Sequence, residues 1–356
     1  MLPCSLNILI MNDLARLRLQ SQHLLNPVLP DAASVVSHLV AVQAQEYRLM
    51  RWAVEMRTTQ ASAERFQKAF DSGEIVRLHL MRGTWHLVAA IDYGWLFDLV
   101  AKKAMSVIKG WMSGNKISIP EDEMSLVSDI LAETASDKGS ATTEDFVEAL
   151  ARKDISMDKH RLSYHIRINE LRGVLCSGNL TKMKATYSLV HDKIKNTVRM
   201  SREEALNTLT LRYFKSRGPA TLQDFVWWSG LTVSECKRGV DSAGNILKKI
   251  NIDGKEFLIH ESCTEPPVSK KELIILPPYD EYLISYKTRD IAVPQQYRAK
   301  AHNNSGIFYP VVLKDGIVCG NWKPFGTSPE TAFLNLNADT SNISEQWAEY
   351  QRFLSS

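Results

Sequence analysis

The chain has no cysteine pair at CxxC spacing. Its five cysteines, Cys4, Cys176, Cys236, Cys263 and Cys319, are scattered over 356 residues. That pattern argues against a disulfide framework or a structural zinc site and for free thiols in a reducing cytoplasm. No unbroken apolar run reaches the roughly 18 residues of a membrane helix, so no membrane partner is expected. An excess of one charge is also missing. Lys and Arg number 43 against 40 Asp and Glu, a formal net charge of +3, so only local clustering can point to a polyanionic partner. There is no Walker loop, no GxGxxG fingerprint and no serine nucleophile elbow. No metal or cofactor is expected. The first ten residues, MLPCSLNILI, are apolar but lack the basic region and small-residue cleavage site of a signal peptide. Residues 1–12 therefore read as a poorly ordered leader, with Met11 a candidate start.

What is present is a repeated grammar of short helices closed by a hairpin, in a chain that is 44% hydrophobic and long enough for two to four modules. In the first module, helices are expected over Asp13–Leu25, Ala32–Val42 and Ala61–Phe70, followed by the β-rich runs EIVRLHLM and TWHLVAA joined across Arg82-Gly83. The second starts near Ser140, with Thr142 as an N-cap facing an acid three residues on. A helix over Met157–Leu171 follows, then a hairpin from VLCSG to ATYSLV around Lys182 and Lys184. In the third, Ser201/Glu204, Thr221/Asp224 and Thr232/Glu235 propose caps for helices at 202–215, 222–229 and 233–243, and Asp253-Gly254 is a type I′ turn signal. Helices closed by a hairpin describe winged helices. From Lys271 onward, KELIIL, EYLISY and a hairpin around Asp315-Gly316 predict strands, and a helix over Ser344–Phe353 ends the chain. The expected class is α+β: a leader (1–12), winged helices at 13–110, 111–200 and 201–263, and a small antiparallel β-barrel with its C-terminal helix at 264–356. A monomer is expected.

Winged helices usually place one helix in the major groove and the wing on the backbone or minor groove. The second module's helix offers Lys159, Arg161, Arg167 and Arg172, and its wing offers Lys182 and Lys184, with a basic run from Lys193 to Arg199 behind them. These are candidate phosphate contacts. A solvated face of i, i+4 ion pairs has the same composition, and winged helices also bind proteins. His79 and His86 flank LMRGTW and could approach one another, but no third metal ligand is evident, and one or both read as satisfied core or wing residues. Asp280-Glu281 reads as a turn anchoring the barrel, and Trp227-Trp228 as core packing.

The stretch HLVAVQAQEYRLMR places Gln43 and Gln45 two residues apart in an apolar run. On a helix they would point about 200° apart. In an extended segment they would face one side. If the two amides act together, the helix must end at or just before them. The alternative is that Gln43 caps a helix end and Gln45 is exposed.

With HLVAVQAQEY, the blocks GEIVRLHLMRGTWHLVAAID, SRGPATLQDFVWWSGL, LPPYDEYLISY and VVLKDGIVCGNWK occur in an order that resembles the bacterial winged-helix DNA glycosylase superfamily, over about Asp13 to Phe353. The resemblance implies three tandem winged helices and a β-barrel. It also implies hydrolysis of the N-glycosidic bond of N7-alkylated purines in double-stranded DNA, interstrand crosslinks included. The family's signature of two glutamines around an apolar residue falls on Gln43-Ala44-Gln45, which assigns the catalytic role to Gln43 and Gln45. Arg48 and Arg51 beside the motif, and Arg82 and His86 in the first hairpin, join the expected DNA contacts. The competing expectation is a non-enzymatic DNA-binding regulator on the same scaffold.

Overall fold

The computed structural model describes residues 11–264, 273–326, 328, 332–334, 336 and 343–356. The leader and Lys271-Glu272 lie largely or wholly outside these residues. The chain divides into two compact units, one of Met1–Phe66, Leu206–Trp228 and Thr232–Ser356, the other of Gln67–Ala205 and Ser229–Leu231.

In the second unit, Ile75–His79 and Trp85–Ala89 form the expected antiparallel hairpin, with Leu78 opposite His86 and His79 opposite Trp85. Adjacent strand residues face opposite ways, so this register puts His79 and His86 on opposite faces; they do not approach one another, and both are core residues of the hairpin, as the core reading expected. The hairpin runs straight into a helix over Ala90–Gly114, and a second helix spans Glu121–Lys138. Next come a short strand (Ala141–Thr142), the helices Thr143–Ala151 and Lys159–Leu171, and the hairpin Leu175–Ser177/Thr186–Leu189. Thr142 and Asp145 form the expected capping box, and Asp158 accepts from the His160 and Arg161 N–H groups at the next helix start. Phe146, Leu150, Leu162, Ile166, Leu175 and Tyr187 close the core beneath these elements.

In the first unit the expected caps recur. Thr221 and Asp224 bond reciprocally, as do Thr232 and Glu235, and the helices Leu222–Ser229 and Val233–Ala243 follow. Asp253-Gly254 and Asp315-Gly316 both adopt positive φ at the tips of their hairpins. Trp228 is fully buried, as expected of the pair, but Trp227 is 42% exposed. The strand expected at EYLISY is instead a short helix, Glu281–Ile284, because the Asp280 carboxylate accepts the Tyr282 N–H as an N-cap. The expected barrel is a curled half-barrel of four antiparallel strands, ordered Phe333–Leu334, Ile317–Trp322, Val311–Lys314, Leu273–Leu276. A bulge between Val312 and Leu313 bends it. The helix Ile343–Ser355 covers it, with Tyr350 edge-on to both Trp52 and Trp322.

Candidate active site

The helix that precedes the two glutamines is shorter than its apolar pattern predicts. It is N-capped by Asp31, spans Ala32–Leu39 and buries Ala32, Val35, Val36 and Leu39. Val40 then takes φ 64°, ψ −52°. The Val40 N–H donates to the Ser37 carbonyl and the Ala41 N–H to the Leu39 carbonyl at 2.7 Å. The second bond closes a three-residue γ-turn of the strained hand, with a β-branched residue at its centre. Val42–Gln43 continues as extended chain. The backbone has thus left helical geometry before the first glutamine, as concerted action of the two amides requires. Gln43 is buried, at 5% exposure, and Gln45 is half-buried in a bend.

A turn of this kind needs outside support, and Arg217 and Glu281 supply it. The Arg217 guanidinium donates to the Leu39 carbonyl at 2.9 Å and to the Ala41 carbonyl at 3.0 Å, one on each side of Val40. Its Nη2 also reaches Glu281 Oε2 at 2.7 Å. The other oxygen, Oε1, accepts the Gln43 backbone N–H at 2.7 Å. Ser285 Oγ at 2.5 Å and Trp228 Nε1 at 3.1 Å complete the donors around Oε2. Arg217 and Glu281 are both fully buried. Burial pushes the Glu281 carboxyl up, but the Arg217 charge and the hydrogen bonds from Ser285, Arg217 and Gln43 outweigh it and hold it at about 2. The neighbouring acid, Asp280, forms a second buried pair with Arg57, whose Nη1 and Nη2 reach its two oxygens at 2.9 and 2.8 Å. Asp280-Glu281 is a structural pair, but the expected anchorage of the barrel is replaced by bonds between Asp280 and Arg57 and between Glu281 and both Arg217 and the glutamine segment. Arg217 was not singled out in the sequence; its only signal is its place in the block SRGPATLQDF.

Of the expected DNA contacts, Arg48 and Arg51 share this segment. Arg48 is half-exposed and lies over the Phe325 ring, 4.1 Å from its centroid. Arg82 and His86 belong to the second unit, where Arg82 Nη2 is 3.5 Å from His86 Nε2 and His86 is fully buried. His79, on the other face, is also buried and paired with Glu170; burial pulls its imidazole below the usual range although Glu170 opposes the shift. Lys159 and Lys182 are exposed. Arg161 donates to Glu123, which also engages His165, and Lys184 pairs with Glu144 at 2.9 Å. Arg167 stacks over Tyr164, 5.1 Å from the centroid. Among the described residues, no three His, Cys, Asp or Glu side chains are grouped to hold a metal ion, and no helix is long and apolar enough to cross a membrane.

The fold matches that of the Streptomyces sahachiroi DNA glycosylase AlkZ, with a TM-score of 0.75 at 20% identity over 97% of this chain and 96% of that one. A protein of the same organism described as an interstrand DNA cross-link repair glycosylase is 26% identical over 322 residues, 86% of this chain and 85% of its own length. The family model for AlkZ-like DNA glycosylases matches residues 36–352. The chain belongs to the AlkZ-like DNA glycosylase family, and is thus an enzyme of the hydrolase class.

Proposed function

We propose that this chain hydrolyses the N-glycosidic bond of N7-alkylated purines in duplex DNA, interstrand crosslinks among them, with Gln43 and Gln45 as catalytic residues. The observation that carries this reading is the end of the helix at Leu39, which frees the glutamine segment from helical geometry. The name of the relative supports crosslinked DNA as a substrate.

Neutral amides suit this chemistry. Alkylation at N7 gives the purine a positive charge, so the base leaves without a general acid. Water attacks C1′ as the C1′–N9 bond breaks, and the bond's electron pair neutralises the departing ring. The sugar passes through an oxocarbenium-like state. The two amide oxygens accept hydrogen bonds from the water, position it and present partial negative charge to the developing cation. The water's proton passes to solvent. An unmodified nucleotide, with a neutral leaving base, is not a substrate. Because a crosslinked base is tethered to both strands, a solvent-open cleft suits it better than a closed pocket.

Three tandem winged helices at 13–110, 111–200 and 201–263, followed in the chain by the strands and helix of 264–356, are the scaffold in this reading. Arg48, Arg51, Arg82, Lys159, Arg161, Arg167, Lys182 and Lys184 face the duplex, whereas the fully buried His86 leaves the set of expected contacts, and the protein acts as a cytoplasmic monomer. The test is heat-and-alkali cleavage of a strand carrying a single N7-methylguanine. Protein-dependent cleavage at that base is expected. Tight binding of the same duplex with no base released would instead leave the regulator reading.

A further inference from the structure

Arg217 and Glu281 sit too far from solvent to meet a substrate, yet between them they hold three backbone groups of the segment that carries the glutamines, while Ser285, Ser216 and Trp228 complete their shell. Those three are the Leu39 and Ala41 carbonyls on either side of Val40 and the Gln43 N–H, and all converge on the one ion pair. A non-glycine residue at φ 64° with a γ-turn hydrogen bond is costly and persists only where its surroundings over-determine it. The neighbouring Asp280–Arg57 pair shows that a buried acid at this turn can be satisfied without touching the glutamine segment. The partners of Glu281 are therefore specific to their place.

We infer that the buried Arg217–Glu281 pair is a positioning device for the reaction: it forces the chain through the Val40 turn and fixes the Gln43 backbone, so that the Gln43 amide is set before DNA arrives. Arg217 and Glu281 are positioning residues and act through Gln43. The ion pair holds the turn in a low-dielectric setting, where charge-assisted hydrogen bonds are strong and directional. A preorganised water site loses rate steeply when displaced by fractions of an ångström. Lysine cannot replace Arg217, because one ammonium lacks the planar fork that reaches two carbonyls and a carboxylate together.

This inference rests on the proposed function, and one experiment separates their failures. Single-turnover excision of N7-methylguanine, duplex affinity and thermal unfolding are measured for the parent, Glu281→Gln, Arg217→Lys, Gln43→Ala and the double variant Glu281→Gln/Gln43→Ala. Excision by the two positioning variants is expected to fall about tenfold with affinity within about twofold of the parent. Glu281→Gln is expected to add little once Gln43 is alanine, because the two act in one chain of contacts. A purely structural role would multiply the losses in the double variant, and that outcome overturns the inference, as does undiminished excision by folded Glu281→Gln. In both cases the proposed function stands. A parent that releases no base overturns the proposed function and the inference with it. If Glu281→Gln does not fold, Ser285→Ala takes its place. It removes one hydrogen bond from the carboxylate and keeps both charges paired, and a loss of about threefold is expected.

Discussion

Gln43 and Gln45 occupy unequal surroundings. Gln43 is buried and its backbone is tied to a buried carboxylate, while Gln45 is half-exposed in a bend. If both amides hold one water, Gln45→Ala reduces single-turnover excision of N7-alkylguanine about 10²-fold while duplex affinity stays near the parent value. Gln43→Ala gives a similar loss, and the double alanine variant loses less than the product of the two. Gln45→Asp places a charge beside the oxocarbenium ion and retains measurable excision. Undiminished excision in the double alanine variant would show that the glutamines are structural. In the sequence the pair stands out only through the family signature it matches. The Val40 turn was not legible there, because nothing in the side chain of valine favours positive φ.

At the scale of elements, the hairpin closed by Asp315-Gly316 offers a stability test. Gly316 has φ 83°, and a Cβ there would come within 2.7 Å of Tyr282 Oη and 3.0 Å of Ala15 Cβ. Gly316→Ala is expected to destabilise the protein by about 1–3 kcal/mol, read as a lowered urea midpoint with an unchanged slope. A second test concerns the helix Ala32–Leu39. Burial lowers the His38 imidazole to about 3, with His23, Arg217 and Lys215 adding to the shift and a hydrogen bond to the Ser21 carbonyl opposing it. The folded state therefore prefers neutral His38. Its contribution is fully present above about pH 6.5 and is lost as pH falls towards 3, whereas that of Glu281 is present above about pH 4.5 and lost towards 2. Urea unfolding at pH 7 and pH 5 should show the first loss, and His38→Gln should flatten it. Caps and two-residue turns could be read from sequence because their chemistry is local, as Thr142 and Asp253-Gly254 illustrate. The helix Ala90–Gly114 went unread because its start, at Ala89, has no side-chain cap.

For the whole molecule, binding to duplex DNA through phosphates predicts an affinity that falls steeply with salt. Replacing Arg48 and Arg51 together by alanine is expected to weaken binding to every sequence alike and to reduce the salt slope by about 1–2. A double variant that matches the parent at all salt concentrations would remove both from the interface. The order of blocks in the sequence was enough to indicate the family, since the AlkZ-like match spans 36–352. Local signals also determined most helix starts and the tight turns, because capping and positive-φ turns depend on residues a few positions apart. Tertiary structure alone decided that the four C-terminal strands form a half-barrel and that the helix before Gln43 stops at Leu39. Each of these outcomes turns on long-range contacts. The last involves Arg217 and Glu281, more than 170 residues along the chain from the segment they hold, where their buried charges are paired and the bend's two carbonyls and the Gln43 N–H complete their hydrogen bonds.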